Sequence, residues 1–161
     1  MRFLLLLLIL VSVNCAAREW KTDYFSIDLP ESMDVEIDKE KRLLAFPKGD
    51  PYSMPFLFIE FGTEVSFKEV LRDLNEELKH YEGEMLPESC SPNCRVYYFE
   101  GESLGRGSKN GGETTYLYHY VLEISGRVFV ISYVDDASLK DGGRFVRSIG
   151  KRIHAQVRPR A

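Results

Sequence analysis

Two long apolar segments with only two residues between them constrain the fold of this chain more than any other feature. They run over residues 113–124 and 127–134, and Ser125-Gly126 joins them. A two-residue loop pairs the flanking strands in an antiparallel hairpin and fixes their register. The predicted opposite pairs are Ile124 with Arg127, Leu122 with Phe129, Tyr120 with Ile131, Tyr118 with Tyr133, Val121 with Val130, His119 with Ser132 and Leu117 with Val134. Both faces carry residues of a kind usually buried, so the hairpin is predicted to lie centrally in a sheet that is covered on both sides.

Shorter apolar or alternating segments predict the remaining strands. These segments are residues 20–29, 33–38, 42–46, 56–61 and 95–102. Residues 84–94 are predicted to form a loop, and the glycine-rich residues 104–112 a flexible connection. Because no internal repeat or interdomain linker is visible, we expect a single domain.

Two segments have helical periodicity. Ser66 and Glu69 have the spacing of a capping box, which predicts the start of the first helix. An apolar stripe follows at steps of three and four residues, and it consists of Phe67, Val70, Leu71, Leu74, Leu78 and Tyr81. Phe145, Ile149 and Ile153 are four residues apart and predict a second, shorter helix, although nearby glycines weaken this prediction.

The amino terminus has the pattern of a secretory signal peptide. One positive charge precedes the uninterrupted apolar residues 3–11, and small residues follow them. This run is too short to span a bilayer, because a spanning helix needs about 20 apolar residues. We therefore predict a signal peptide over residues 1–17 and a mature domain over residues 18–161.

Cys15 leaves an alternative open at this end, which is a lipid-modified cysteine at the mature amino terminus. The preceding Ser12-Val13-Asn14 does not resemble the bacterial lipobox. We therefore expect Cys15 to leave with the signal peptide. Removal of residues 1–17 leaves 144 of the 161 residues, and loss of the Arg2 charge takes the formal net charge from −4 to −5.

Three phrases of the mature chain, together with the order of the predicted elements, are shared with a known group of proteins. The phrases are Asp23-Tyr24-Phe25-Ser26-Ile27-Asp28-Leu29-Pro30, Ser66-Phe67-Lys68-Glu69-Val70 and Phe145-Val146-Arg147-Ser148-Ile149. With the hairpin, they resemble the PsbP/DcrB-like superfamily over nearly all of residues 20–154. The resemblance implies an α/β (α+β) sandwich in which helices cover both faces of a central, mostly antiparallel sheet. It also implies binding rather than catalysis, and the chain carries no catalytic motif of the family.

Cys90 and Cys94 are the best-defined candidate site. They flank the proline-containing turn Ser91-Pro92-Asn93, and an oxidising compartment favours a disulfide between them. Free thiols, a redox-active pair and metal ligation are the alternatives. The spacing lacks the two-residue interval of thioredoxin-like sites, so a structural disulfide is predicted.

No catalytic site, metal site or cofactor is predicted. His119 beside Ser132 is a hint of nucleophilic chemistry, but no orienting acid is evident, and a histidine that is hydrogen-bonded within the sheet is the simpler interpretation. Asp135-Asp136, with Ser138 and Asp141, lack the pattern of a calcium loop. We interpret them as turn and helix-capping residues.

The carboxyl end is basic, and no acidic residue interrupts its positive charges. These charges are Arg144, Arg147, Lys151, Arg152, Arg158 and Arg160. They are candidates for contact with an anionic lipid, a cell-wall polymer or a partner. The alternative is favourable charge at a helix carboxyl terminus, followed by a solvated tail.

These observations favour a secreted or periplasmic, non-catalytic binding or accessory protein of the bacterial envelope, with a protein or another envelope component as its partner. The alternatives are an envelope hydrolase and a small-ligand carrier whose site is not recognised. A formal net charge of −4 gives no reason to expect nucleic acid as a partner. No transmembrane segment is expected in the mature chain.

Overall fold

Strands dominate the part of the chain that the computed structural model describes, which comprises residues 17–38, 42–63, 65–90, 94–103, 114–135 and 141–157. The strands within these ranges are β1 Ala17–Lys21, β2 Ser26–Pro30, β3 Met33–Ile37, β4 Arg42–Pro47, β5 Phe56–Thr63, β6 Glu82–Glu88, β7 Cys94–Ser103, β8 Thr115–Ile124 and β9 Arg127–Asp135. The helices are α1 Phe67–Glu77, which continues into a 3-10 turn at Leu78–His80, and α2 Gly142–Gln156.

Seven of these strands form one sheet in the order β3-β4-β5-β9-β8-β7-β6, and β1 pairs with β2 in a separate two-stranded sheet. Every neighbouring pair is antiparallel. The β8–β9 hairpin has the predicted register, including His119 opposite Ser132. Ser125 and Gly126 have φ angles of 53° and 73°, which is the left-handed backbone that a type I′ turn requires. The hairpin lies inside the sheet, as predicted.

One face of the seven-stranded sheet, which we call the α2 face, is covered by α2 and by the two-stranded sheet. The covering elements contribute side chains to one buried cluster with the strands beneath them. These side chains come from β2, from the residue just before it and from α2, and they are Phe25, Ile27, Leu29, Val146, Ile149 and Ile153. The side-chain amide of Gln156 ties the two covers together. Its Oε1 accepts from the Ser26 backbone N–H at 2.6 Å, and its Nε2 donates to the Ser26 carbonyl at 2.9 Å.

The opposite face, which we call the α1 face, is covered only in part. The predicted capping box is present, because Ser66 Oγ accepts from the Glu69 backbone N–H while the Glu69 carboxylate accepts from the Ser66 backbone N–H. This cap starts α1 over one part of the sheet. There Phe67 packs with Val121, Val128 and Val130, and the following turn places Leu78 against Phe99 and Leu117. The β5 side of this face lies beyond the reach of the helix.

The predicted α/β (α+β) sandwich, with helices over both faces, is wrong. Of the described residues, 54% lie in strands and 25% in helices, and the α-helices among them are two short ones, so the structure is a mostly antiparallel β protein. Part of the physical reason is that residues 26–30 also cover the α2 face. Their buried and exposed side chains alternate with a period of two, so they form the strand β2 and not a helix. On the other face, the 11 residues of α1 are too few to cover seven strands.

The second helix is also longer than the first, with 15 residues against 11, so the prediction of a shorter helix is wrong. Its glycines lie on the packed side. A Cβ atom added at Gly150 would lie 2.2 Å from Cε1 of Tyr120, and one at Gly142 would lie 2.5 Å from Cε2 of Tyr118. The glycines therefore let α2 approach the tyrosine-bearing strands closely, which offsets their low helix propensity.

Two strand boundaries also differ from the predictions. Residues 20–29 do not form one strand, because Thr22 Oγ1 accepts from the Phe25 backbone N–H at 3.1 Å and closes a turn between β1 and β2. Residues 84–94 are not a simple loop, because β6 occupies 82–88 and pairs with β7. Gly83 and Pro87 within β6 made a strand difficult to predict from the sequence. The strand lies at the edge of the sheet, where proline is tolerated.

Several predicted features lie outside the described residues. These are the segment 1–16 with Cys15, the glycine-rich 104–113, and Arg158 and Arg160 at the carboxyl end. Among the residues that are described, no helix is both long and apolar enough to cross a membrane.

Candidate functional site

A half-open groove of about 420 Å³ lies on the α1 face, between α1 and the strands β5, β8 and β9. We call it the α1 groove. Its lining is mostly apolar and consists of Phe56, Phe58, Glu60, Val65, Val70, Asp73, Leu74, Glu77, Leu117, His119, Val130, Ser132 and Val134. This volume lies in the range of about 300–1,000 Å³ that is typical of small-molecule sites.

The groove exists because β5 is apolar on both faces while only one of them is fully covered. Leu57 and Ile59 point to the α2 face and are completely buried. Phe56 and Phe58 point the other way and are only half-buried. Helix α1 packs instead over Val128 and Val130. Aromatic side chains on the β5 side of the α1 face therefore line an open groove rather than a closed core.

His119 supplies a buried polar group in this lining. The residue is 3% exposed, and its Nδ1 lies 2.7 Å from Ser132 Oγ. Within the described residues, its Nε2 is buried and has no hydrogen-bond partner. The hydrogen bond within the sheet that the sequence interpretation expected is present at Nδ1. A buried nitrogen without a hydrogen-bond partner costs about 1–3 kcal/mol of stability.

Burial lowers the pKa of the His119 imidazole to about 4. The ring is therefore neutral near pH 7. If Nδ1–H donates to Ser132, Nε2 is an acceptor. If the Ser132 hydroxyl donates to Nδ1, Nε2–H is a donor. In either case the imidazole is uncharged, so it adds no positive charge to the groove lining.

The His119–Ser132 pair lacks the third member of a nucleophilic triad. A catalytic histidine is oriented by an acid bonded to its second ring nitrogen, and Nε2 has no such partner among the residues that the structure describes. Desolvation also makes this ring a weak base, since its pKa is lowered. The geometry therefore favours binding over acyl transfer at this position.

Among the residues that the structure describes, the charged members of the groove lining are all acidic. They are Glu60, Asp73 and Glu77. Asp73 forms an exposed ion pair with Arg72 at 2.9 Å, whereas Glu60 and Glu77 form no ion pair with the rest of the described chain. Because His119 is neutral, the lining carries net negative charge. Such a lining favours a cation over an anion.

The predicted cysteine pair comes together on the α2 face, away from the α1 groove. The sulfur atoms of Cys90 and Cys94 are in contact, and their Cα atoms are 5.8 Å apart. This separation falls within the range of a disulfide. Both residues are partly buried against the core cluster of the α2 face, so the contact joins β7 to the segment that precedes it.

The basic residues predicted to contact an anionic surface do not form one free patch in the described part of α2. Arg144 pairs with Asp141 at 3.1 Å, Arg147 with Glu88 at 2.6 Å, and Arg152 with Asp28 at 2.5 Å. Arg147 also stacks on the Tyr98 ring, with Cζ 3.4 Å from the ring centroid. Lys151 lines a small pocket beside Cys90. These pairings favour a structural role for much of the cluster, and contact with an anionic surface stays a prediction.

The acidic residues at the end of β9 and beyond it lie in different surroundings. Asp135 is 2% exposed, and its carboxylate accepts a hydrogen bond from the Tyr133 hydroxyl at 3.2 Å. Asp141 occupies the N-cap position of α2, although its side chain makes no capping hydrogen bond. Asp136 and Ser138 lie outside the described residues.

Sequence reasoning missed the α1 groove. Its signal was present in the run Phe56-Leu57-Phe58-Ile59, because a strand that is apolar on both faces needs two covers. Only one amphipathic helix was available for the α1 face, and its length shows that it cannot reach every strand. Comparison with known proteins adds no constraint, since no family model matches the chain and no similar curated protein was found. The resemblance to the PsbP/DcrB-like superfamily therefore stays a prediction.

Proposed function

We propose that this chain is an exported, non-catalytic binding protein of the bacterial envelope, and that it holds a small amphiphilic cation in the α1 groove. The observation that carries the proposal is a mostly apolar groove of about 420 Å³ in which the charged lining residues, among those that the structure describes, are all acidic. The signal-like residues 1–17 and the cysteine contact support export.

The apolar part of the ligand would lie against the side chains that α1 leaves uncovered. Phe56 and Phe58 form one wall, and Val70 and Leu74 of α1 form the other. Removing apolar surface from water stabilises such a complex by about 25 cal/mol per Å². An alkyl or aromatic body therefore suits the groove better than a sugar or another fully polar ligand.

The charged part of the ligand would lie toward the carboxylates of Glu60 and Glu77. A neutral His119 does not repel a cation, and the described part of the lining contains no lysine or arginine. An ammonium group near one of these carboxylates gains about 1 kcal/mol at solvent-like dielectric. An anion of the same size would be repelled by the same groups.

Calorimetric titration with three ligands of equal chain length tests this proposal. We expect n-octylammonium to bind with a stoichiometry of one, n-octanol to bind more weakly, and n-octyl sulfate not to bind. Glu77→Gln should weaken octylammonium binding about threefold to tenfold. Glu84→Gln is the matched control, because it removes the same charge from the exposed strand β6, outside the groove.

When binding is observed, two outcomes overturn the proposal. One is binding of octyl sulfate as tight as that of octylammonium, which would remove the role of the carboxylates. The other is an equal effect of the Glu77 and Glu84 substitutions, which would leave only a general effect of net charge. Failure of all three ligands to bind would also exclude the α1 groove as a site for small amphiphiles.

A further inference from the structure

A cluster of side chains that can bind a metal ion lies on the α2 face, where the cysteine pair is close to the carboxyl-terminal end of α2. His154 is in the last turn of α2, and it lines a pocket of about 300 Å³ together with Cys90, Glu88 and Lys151. This pocket is separated from the α1 groove by the sheet. The two sites can therefore be tested independently.

The ligand atoms of Cys90, Cys94 and His154 all lie within 4.8 Å of one another. Zinc binds cysteine sulfur at about 2.3 Å and histidine nitrogen at about 2.0–2.1 Å, so ligands around one ion lie about 3.5–4 Å apart. We propose that, when the cysteines are reduced, these three side chains bind one thiophilic cation of the Zn²⁺ class. In the oxidised chain the same sulfurs are bonded to each other, and the site is closed.

The surrounding fold holds the three ligands without large rearrangement. Cys94 begins β7 opposite Ile124 of β8, and the neighbouring Val96 is 3% exposed. His154 follows Ile153, which is 1% exposed and anchors the last turn of α2 in the core. Because both anchors are buried, reduction frees the sulfurs while the Cα positions of Cys94 and His154 stay fixed.

The chemistry of the ligand set points to a borderline-soft cation. Two thiolates and one imidazole suit Zn²⁺ better than Ca²⁺ or Mg²⁺, which prefer oxygen ligands. Three protein ligands would leave the fourth tetrahedral position to a water molecule. Lys151 in the same pocket favours the thiolate forms that bind metal.

The conversion between the two states needs a two-electron reductant, for example a dithiol. A dithiol transfers two electrons and two protons, the bond between Cys90 and Cys94 breaks, and the dithiol itself becomes a disulfide. When Zn²⁺ then binds, both S–H protons pass to solvent. The metal site is thus open in reducing surroundings and closed in oxidising ones.

Titration of the purified protein with Zn²⁺ in its two redox states tests this inference. One sample is oxidised and the other is reduced with a phosphine, which contributes no thiol of its own. We expect the reduced protein to bind one Zn²⁺ per chain with release of about two protons, and the oxidised protein to show no saturable binding. Substitution of Co²⁺ should add a sulfur-to-metal charge-transfer band in the reduced sample alone.

Variants assign the ligands. Loss of a residue that only supports a metal ligand lowers metal affinity by about 10- to 100-fold. Because His154 would be a ligand itself, His154→Ala should lower the affinity of the reduced protein for Zn²⁺ by more than that. His80→Ala is the matched control, because His80 is exposed and lies outside the cluster. If His154→Ala does not fold, as judged by circular dichroism, Cys90→Ser carries the test in the reduced state. Equal Zn²⁺ binding by the oxidised and reduced chains, or by the His154 and His80 variants, overturns the proposal.

Discussion

The burial of His119 predicts a specific dependence of stability on pH. In the folded protein the pKa of this imidazole is lowered to about 4 by burial, whereas in an unfolded chain it is about 6.5. Between these values the unfolded chain takes up a proton and the folded chain does not. The free energy of unfolding is therefore not reduced by His119 above about pH 6.5, and it decreases as the pH falls from there toward 4.

The size of the effect follows from the two pKa values. Lowering the pH from about 7.5 to about 5 should reduce the free energy of unfolding by about 2 kcal/mol through His119 alone, and the limit at lower pH is about 3 kcal/mol. Urea unfolding at the two pH values measures this loss. His119→Asn removes the titrating ring and keeps a short polar side chain beside Ser132, so it provides the reference.

The comparison isolates His119 because all other titrating groups are shared. His80, His154 and the carboxylates contribute equally to the wild type and to His119→Asn. We expect the wild type to lose about 2 kcal/mol more than the variant between the two pH values. Equal losses would show that the imidazole takes up a proton without penalty, and the assignment of a buried, neutral ring would then be refuted.

Two further predictions concern α2 and the strands beneath it. Gly150→Ala should lower the free energy of unfolding by about 1 kcal/mol, because overpacking against Tyr120 costs about 1–3 kcal/mol and exceeds the gain of about 1 kcal/mol in helix propensity. The exposed control Ser148→Ala should change the free energy of unfolding by no more than about 0.5 kcal/mol in the same urea titration. Equal effects of the two substitutions would reject the close packing of Gly150 on Tyr120. Arg147→Ala should also lower the free energy of unfolding by about 1 kcal/mol, because it removes the contacts with Tyr98 and Glu88. The side chain of Arg144 is 84% exposed, so Arg144→Ala should change the free energy of unfolding little. Thermal unfolding compares the two arginine variants, and an equal shift in both would contradict a structural role for Arg147.

Local patterns were sufficient to predict the central hairpin and the start of the first helix. The Ser125-Gly126 loop determines every cross-strand pair of β8 and β9, because a two-residue turn leaves no freedom in register. The capping box of Ser66 and Glu69 likewise acts within a single turn of helix. Features of this kind depend on residues that are close in the sequence.

Features that depend on distant residues could not be predicted in the same way. The pairing of His119 Nδ1 with Ser132 followed from the hairpin, but the groove beside it depends on how α1 lies over strands that are distant in the sequence. The approach of His154 to Cys90 joins residues that are 64 positions apart, and no local pattern specifies it. The missed strand β6 is a related case, since pairing with β7 outweighs the low strand propensity of Gly83 and Pro87.

Binding of an amphiphilic cation in the α1 groove can be tested directly by nuclear magnetic resonance of the labelled protein during titration with n-octylammonium. We expect saturable shifts of the His119 ring signals and of the Phe58 amide, while the Tyr120 amide and the α2 face stay unchanged. An equal titration with n-octyl sulfate should leave all of these signals in place. Shifts that appear on the α2 face instead, or that octyl sulfate produces equally well, would contradict a cation-binding site between α1 and the sheet.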